Sequence, residues 1–227
     1  MVWEFSRRLM MVAAAVSALG FFAASPAKAA DLGGDCCADL EERVAELEAT
    51  TVRKGNKKVK VELYGRIPGH VREAVEGLGV DELVATPEPG SNPIGWLVWH
   101  LTRVQDHHVA ELLGAAQVWT TGDWSRRFGL DPDPADTGYG HSPAEVAAVR
   151  PDSAEALLAY YRAVADRTGE LLRGLTASDL DRLVDERCDP PVTLGVRLVS
   201  VADDDIQHAG QAKYLRGLLT RRPSRSP

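Results

Sequence analysis

Near its C-terminus the chain carries LGVRLVSVADDDIQHAGQAKYLRGLL, residues 194–219, in which apolar residues recur with the period of a helix. This pattern predicts one long helix. Residues four apart lie one turn above each other on the same helix face, so Asp204 and His208 would present a carboxylate and an imidazole side by side. Asp203 and Asp205 would point to other faces. The acidic triplet beside this histidine is therefore the first candidate for a functional site.

A histidine on a second predicted helix is the natural third member of this site. The segment WLVWHLTRVQDHHVAELLG, residues 96–114, has the helical period and places His100 on its inward face. If the two helices pack together, His100, Asp204 and His208 supply two nitrogens and one carboxylate. Such a set leaves coordination positions open for water or substrate, as at catalytic zinc sites. The alternative is that the triplet is a solvated face and that the four-residue spacing is coincidental.

Two further amphipathic segments indicate an all-α fold. GHVREAVEGLGVDELV, residues 69–84, is predicted as the first helix, and SAEALLAYYRAVADRTGELLRGL, residues 153–175, as the third. With the two helices above, they predict a four-helix bundle over residues 66–220. Residues 221–227, RRPSRSP, follow Thr220 and are predicted to be a disordered tail.

A long connection separates the second and third predicted helices. Residues 115–152 are rich in glycine and proline and show almost no periodicity. Loops of this length in a compact domain are commonly lids or binding loops. Within the loop, Ser142, Pro143 and Glu145 have the spacing of a capping box with proline at the first helical position, which predicts a short helix start.

Composition excludes two other classes of function. The chain has 227 residues and a formal net charge of −7, and its basic residues form no dense patch, so we expect no nucleic-acid partner. Its three cysteines have neither the spacing of a zinc ribbon nor the numbers of a disulfide framework.

The first thirty residues have the pattern of an export signal. Arg7 and Arg8 precede an apolar run over residues 9–24, and Ala27-Lys28-Ala29 matches a cleavage site. A run of about 16 residues is short of the roughly 20 needed to cross a bilayer. We therefore predict a signal peptide over residues 1–29, export to the periplasm, and no stable membrane insertion after cleavage.

Residues 30–65 differ in composition from the rest of the chain. They are rich in lysine, whereas residues 66–227 use arginine almost throughout, with Lys213 as the exception. The spacing of Leu40, Val44 and Leu47 predicts a short coiled-coil-like helix. The alternation of Val59, Val61 and Leu63 with polar residues predicts one strand after it. Neither element is expected to pack against the body.

With its leader, this segment reads SPAKAADLGGDCCADLEERVAELEATTVRKGNKKVKVELYG, residues 25–65, and resembles the start of alphaproteobacterial outer-membrane porins. A transmembrane barrel needs at least eight strands, and one is predicted here. The resemblance accounts for the leader and predicts no pore.

Three segments of the body also resemble a known family. NPIGWLVWHLTRVQDHHVAELLG, FGLDPDPADTGYGHSPAEVAAV and DPPVTLGVRLVSVADDDIQHAGQAKYLRGLL occur in that order. They resemble the actinobacterial branch of the DinB superfamily, which includes the metal-binding domain of mycothiol-dependent maleylpyruvate isomerase. The resemblance covers roughly residues 66–220 and implies a four-helix bundle.

This resemblance implies a site as well as a fold. Members of the DinB superfamily hold zinc or nickel with a histidine from the second helix and a pair of residues four apart on the last helix. Carried over by position, these ligands are His100, Asp204 and His208. Where members have histidine or glutamate, this chain has Asp204, whose side chain is one methylene shorter than glutamate.

The chemistry implied by the resemblance is thiol-dependent. The metal would activate a small thiol, mycothiol in this branch, for transfer to an electrophile, so the expected partners are a thiol and an electrophile, with a homodimer as one possible assembly. Arg103 and Arg197 are candidate anion contacts. Such chemistry belongs to the cytoplasm, in conflict with the leader.

Two other interpretations stay open from the sequence. The chain could be a non-catalytic metal-binding or stress-associated helical bundle. It could also be a porin leader joined to a DinB-like domain, without a role in transport, as the change from lysine to arginine favours.

Overall fold

The computed structural model describes residues 61–220. The predicted signal peptide, the predicted helix at Leu40–Leu47 and the predicted tail at 221–227 lie outside these residues. Within them the protein is predominantly helical, as predicted. The elements in chain order are α1 (61–75), α2 (Val80–Val84), α3 (Ile94–Leu113), a 3-10 turn (Val118–Thr120), α4 (Trp124–Arg127), α5 (Pro143–Ala148), α6 (Ala154–Gly174), a second 3-10 turn (Ser178–Asp181), β1 (Leu183–Asp185), β2 (Val192–Thr193) and α7 (Leu194–Leu219).

Helix α3 lies at the centre of the fold. It packs against both α7 and α6, and most of its residues from Ile94 to Ala110 are buried, including polar ones. A helix that is buried on nearly all sides must be surrounded by other elements, and here the apolar faces of α6 and α7 pack around α3. The predicted packing of the second helix beside the last one is confirmed.

Side-chain caps define where several helices begin. Thr193 accepts a hydrogen bond from the Val196 N–H at the start of α7, and Ser153 does the same for Ala156 at the start of α6. The capping box predicted in the loop is present at α5, where Ser142 and Glu145 satisfy each other's backbone N–H groups. Helix α7 has the bounds that the sequence predicts.

The predicted strand at Val59, Val61 and Leu63 is wrong where the structure describes it, because residues 61–75 form α1. Tyr64 is buried, and its hydroxyl donates to the Leu198 carbonyl of α7 at 2.9 Å, so this part of the segment does pack against the body. The buried positions Tyr64, Ile67, Val71 and Val75 recur every three to four residues. This helical stripe outweighs a short alternation of valines because it buries far more apolar surface.

The observed strands lie elsewhere. β1 and β2 form an antiparallel pair before α7, with Leu183 opposite Thr193 and Asp185 opposite Val192. Among the helices of residues 61–220, none combines the length and the apolar character that a membrane crossing requires.

Candidate metal centre

His100 of α3 and two residues of α7, Asp204 and His208, come together in the structure. Each offers one ligand atom, and the three atoms all lie within 4.8 Å of one another. Asp204 Oδ1 is 3.5 Å from His208 Nε2, as expected for residues one helical turn apart. The rings of His100 and His208 meet edge to face, with centroids 4.8 Å apart. The three predicted site residues therefore form one cluster.

His208 is oriented by its neighbour one turn further along α7. Its Nδ1 lies 2.9 Å from Gln211 Oε1, which can only accept, so Nδ1 carries the proton and Nε2 keeps its lone pair. Burial lowers the pKa of His208, but the protonated ring, which can donate from Nε2 to Asp204 as well as from Nδ1 to Gln211, is stabilised by these two contacts, and they outweigh burial and leave that pKa raised. In the neutral ring, Nε2 faces the cluster.

His100 is oriented by the long loop. Its Nδ1 donates to the Thr137 carbonyl at 2.5 Å, and its ring stacks on Trp96 with centroids 4.6 Å apart. Burial is the main reason that its pKa is lowered, which favours the neutral imidazole. A ring nitrogen bonded to a backbone carbonyl is the usual way to fix the tautomer of a metal-binding histidine. Nε2 of His100 is therefore also left free.

The carboxylate of Asp204 lacks a partner for one of its oxygens. Oδ2 is buried and accepts no hydrogen bond from the described residues. A buried carboxylate oxygen without a donor is costly unless a cation balances it. Two imidazole nitrogens and one carboxylate are a donor set that zinc and similar divalent metals accept, so the residues fit such an ion.

The two neighbouring aspartates do not join the cluster. Asp203 is exposed and accepts a hydrogen bond from Gln207 at 2.7 Å. Asp205 is fully buried, and neither of its carboxylate oxygens has a hydrogen-bond partner among the described residues. Burial, with a smaller contribution from Asp204, raises the pKa of Asp205 well above its usual range.

Replacing Asp205 by asparagine is expected to stabilise the metal-free protein at pH 7.5 by about 1–3 kcal/mol, because it removes a buried acid that has no hydrogen-bond partner within residues 61–220. The folded carboxyl holds its proton more strongly than the unfolded one, so the native state binds more protons and wild-type stability falls as pH rises above about 3.9. The difference between Asp205→Asn and wild type should therefore be small near pH 4 and grow with pH.

Urea denaturation in EDTA between pH 4 and 8 measures this difference. The matched control is Asp203→Asn, two residues earlier in the chain and exposed, which should change the unfolding free energy by less than about 0.5 kcal/mol. An Asp205→Asn protein less stable than wild type at pH 7.5 would mean that the carboxylate is ionised and paired.

A glycine lets the long loop approach the metal centre. Gly138 has φ +88°, and a Cβ there would lie 2.8 Å from Trp99 Cζ3 and 2.9 Å from His100 Nδ1. The loop is further held by Asp136, which accepts from the Gly138 N–H and from His141 Nε2, both at 2.9 Å. This close approach is what brings the Thr137 carbonyl to His100.

The Gly138→Ala protein is expected to be about 2–4 kcal/mol less stable, from the left-handed backbone and from overpacking together. Gly140→Ala is the matched control: its φ is +78°, but nothing lies within 4 Å of the added Cβ, so it tests the backbone effect alone at about 1–2 kcal/mol. Thermal unfolding of both variants measures the contrast. Equal losses would mean that the crowding at His100 is not real.

A buried arginine anchors the same loop. Arg103 is fully buried on α3; its Nε donates to the Asp136 carbonyl at 2.9 Å and its Nη2 to the carbonyls of Asp133 and Pro134. Its Nη1 lies 3.6 Å from Asp106 Oδ2. The expectation that Arg103 contacts an anionic ligand is wrong, because its donors are occupied by the loop. The sequence shows only that Arg103 lies on a predicted helix, and nothing in it indicates that the side chain anchors the loop.

A second group that could hold a metal lies further along α3. His107, His108 and Glu111 also bring ligand atoms within 4.8 Å of one another. However, Arg197 Nη1 lies 2.8 Å from His108 Nδ1 and 3.1 Å from Glu111 Oε2, so a cation already occupies the side that these atoms face. Arg197 also pairs with Asp185 at 3.2 Å. The predicted anion contact at Arg197 is therefore taken by the protein itself, and the second group is the weaker metal candidate.

Comparison with known proteins identifies a family whose model covers most of the described residues. The family model of the DinB superfamily matches residues 64–212. A solved structure described as a conserved protein of locus from Enterococcus faecalis is similar, with 31% sequence identity over 72% of this chain and 96% of that chain and a TM-score of 0.66. No curated protein matches the chain.

Proposed function

The chain belongs to the DinB superfamily, and from that premise we propose that its long helices form the four-helix bundle of a metalloprotein in which His100, Asp204 and His208 bind one divalent ion. The observation that carries this proposal is the state of the donor atoms. Nδ1 of each histidine is held by an acceptor, which leaves both Nε2 atoms free in the neutral rings, and Asp204 Oδ2 is buried without a hydrogen-bond donor among residues 61–220.

The proposed activity is thiol-dependent transfer or isomerisation with a small thiol of the mycothiol type. Three protein ligands leave coordination positions for a substrate. A divalent cation, zinc or nickel, would supply the charge that makes a bound thiol ionise at neutral pH. The chain itself would supply orientation: Gln211 and the Thr137 carbonyl hold the two imidazoles. Trp96, stacked on His100, would exclude water from one side of the centre.

The proposal is tested with protein loaded with zinc or nickel and mixed with mycothiol and a chromogenic electrophile. We expect consumption of the thiol to require the metal and to fall to the uncatalysed rate in Asp204→Asn. The His107→Ala protein is the control and should keep the wild-type rate. Metal binding without acceleration of any thiol reaction would instead identify a non-catalytic metal-binding bundle.

A further inference from the structure

A pocket of about 320 Å³ lies on the side of the protein where the segment before α3 meets α5. This volume is within the range of sites for small molecules. One wall is the ring of His141, whose Nδ1 accepts from Trp96 Nε1 at 3.2 Å and whose Nε2 lies 2.9 Å from Asp136 Oδ1. Because both nitrogens are engaged, His141 forms a fixed surface of the pocket and is not a free base.

The charge of the pocket is opposite to that of the chain. No aspartate or glutamate lines it, although the chain carries a net charge of −7. Arg150 lines it, is exposed, and forms no ion pair with any residue of 61–220. Its backbone is held by a 2.9 Å hydrogen bond from its N–H to the Phe128 carbonyl. An anchored arginine without a carboxylate partner is suited to bind an oxyanion through two parallel hydrogen bonds.

Neutral polar groups add to this arginine. Ser91 and Asn92 line the pocket, and their side chains form no hydrogen bond with other described residues. They are held in place by a turn in which the Ser91 N–H donates to the Glu88 carbonyl at 3.2 Å. Pro93, which precedes the first turn of the 20-residue helix α3, also lines the pocket, so the positive end of that helix dipole is at its edge.

The rest of the lining is apolar. Val84, Val146 and Val149 line it, together with prolines and an alanine of α5. A pocket with one cation, two neutral hydrogen-bonding side chains and an apolar wall matches a ligand with a single anionic group and a hydrocarbon body. We propose that this pocket binds a small organic acid, with its carboxylate on Arg150 and its apolar body against the valines.

This inference is independent of the proposed metal and thiol chemistry, because no ligand of the candidate metal centre lines the pocket. The test is therefore carried out on the full chain in EDTA. The probes are hexanoate and benzoate, each compared with its neutral amide, and affinity is measured by ligand-observed NMR titration.

We expect each acid to bind about tenfold to a hundredfold more tightly than its amide, since hydrogen bonds to a charged group are worth that much. Arg150→Gln should remove this preference. The control Arg162→Gln, an exposed arginine on α6 outside the pocket lining, should retain it. Ala147→Trp, which fills the pocket from the exposed side of α5, should abolish binding of acid and amide alike.

The inference is overturned if neither acid binds the wild-type protein, if acid and amide bind equally, or if Arg162→Gln weakens binding as much as Arg150→Gln. Because the titration in EDTA involves no bound metal, failure of the proposed metal centre would leave its result unchanged. The two proposals can therefore fail separately.

Discussion

The His208→Ala protein is expected to lose its divalent metal, with an affinity lower than wild type by two to three powers of ten. Metal binding to a four-ligand structural zinc site is worth about 10–16 kcal/mol, so one ligand contributes about 2.5–4 kcal/mol. Removing His208 takes away one of the two free Nε2 atoms and leaves Asp204 with a single imidazole opposite it. Elemental analysis after dialysis and competition with a coloured chelator measure the loss. The side chain is 19% exposed, so the truncated protein should keep its helical circular dichroism.

The matched control is His107→Ala, which removes an imidazole from the other group of candidate ligands. We expect this variant to bind metal as the wild type does, because Arg197 already occupies that group. Metal retained in His208→Ala and lost in His107→Ala would place the ion in the second group and refute the proposed centre. Metal retained in both variants would refute both groups.

The Arg103→Met protein is expected to be less stable than wild type by about 3–5 kcal/mol, the usual cost of removing one partner of a buried ion pair. The change leaves the buried carboxylate of Asp106 without its positive partner and removes the arginine donors to the carbonyls of Asp133, Pro134 and Asp136. Methionine fills part of the volume, so the loss is mainly electrostatic. Urea denaturation monitored by tryptophan fluorescence measures it.

Arg126→Met is the control because Arg126 also pairs with an aspartate three residues away, Asp123, but with a side chain that is 75% exposed. That change should cost less than about 1 kcal/mol. If both variants lose the same stability, burial of Arg103 is not the cause of the loss.

We also expect Arg103→Met to weaken metal binding about tenfold to a hundredfold, because the loop it anchors carries the Thr137 carbonyl that orients His100.

Helix bounds, caps and side-chain pairs could be predicted from the sequence wherever the interacting groups are close in the chain. The four-residue spacing of Asp204 and His208 places them on one helix face in any helical context, and the bounds of α7 follow from its apolar period and Thr193 cap. The capping box at Ser142 and Glu145 is of the same kind. Gln211 also belongs here: it lies three residues after His208 on the same helix, although its role was not predicted.

His100 lies on a separate helix, so the sequence pattern named it only on the condition that the two helices pack together, and the resemblance to the DinB superfamily supported that condition. The family is confirmed, whereas the actinobacterial mycothiol branch and the porin-like leader stay predictions. The strand predicted over residues 59–63 is wrong at residues 61–63, which the structure describes as helix, because the short alternation of Val59, Val61 and Leu63 does not show that Tyr64 has a partner on α7.

Helical segments, their caps and the pairing of Asp204 with His208 depend on interactions over one turn, so the order of residues is enough to specify them. The partners of His100 and the burial of Arg103 and Asp205 depend on contacts across 30 or more positions, such as the 33 that separate Arg103 from Asp136. Those contacts exist only after α3, α7 and the loop have packed. Burial then sets which charges need partners, and therefore which nitrogens and oxygens are left to bind a metal.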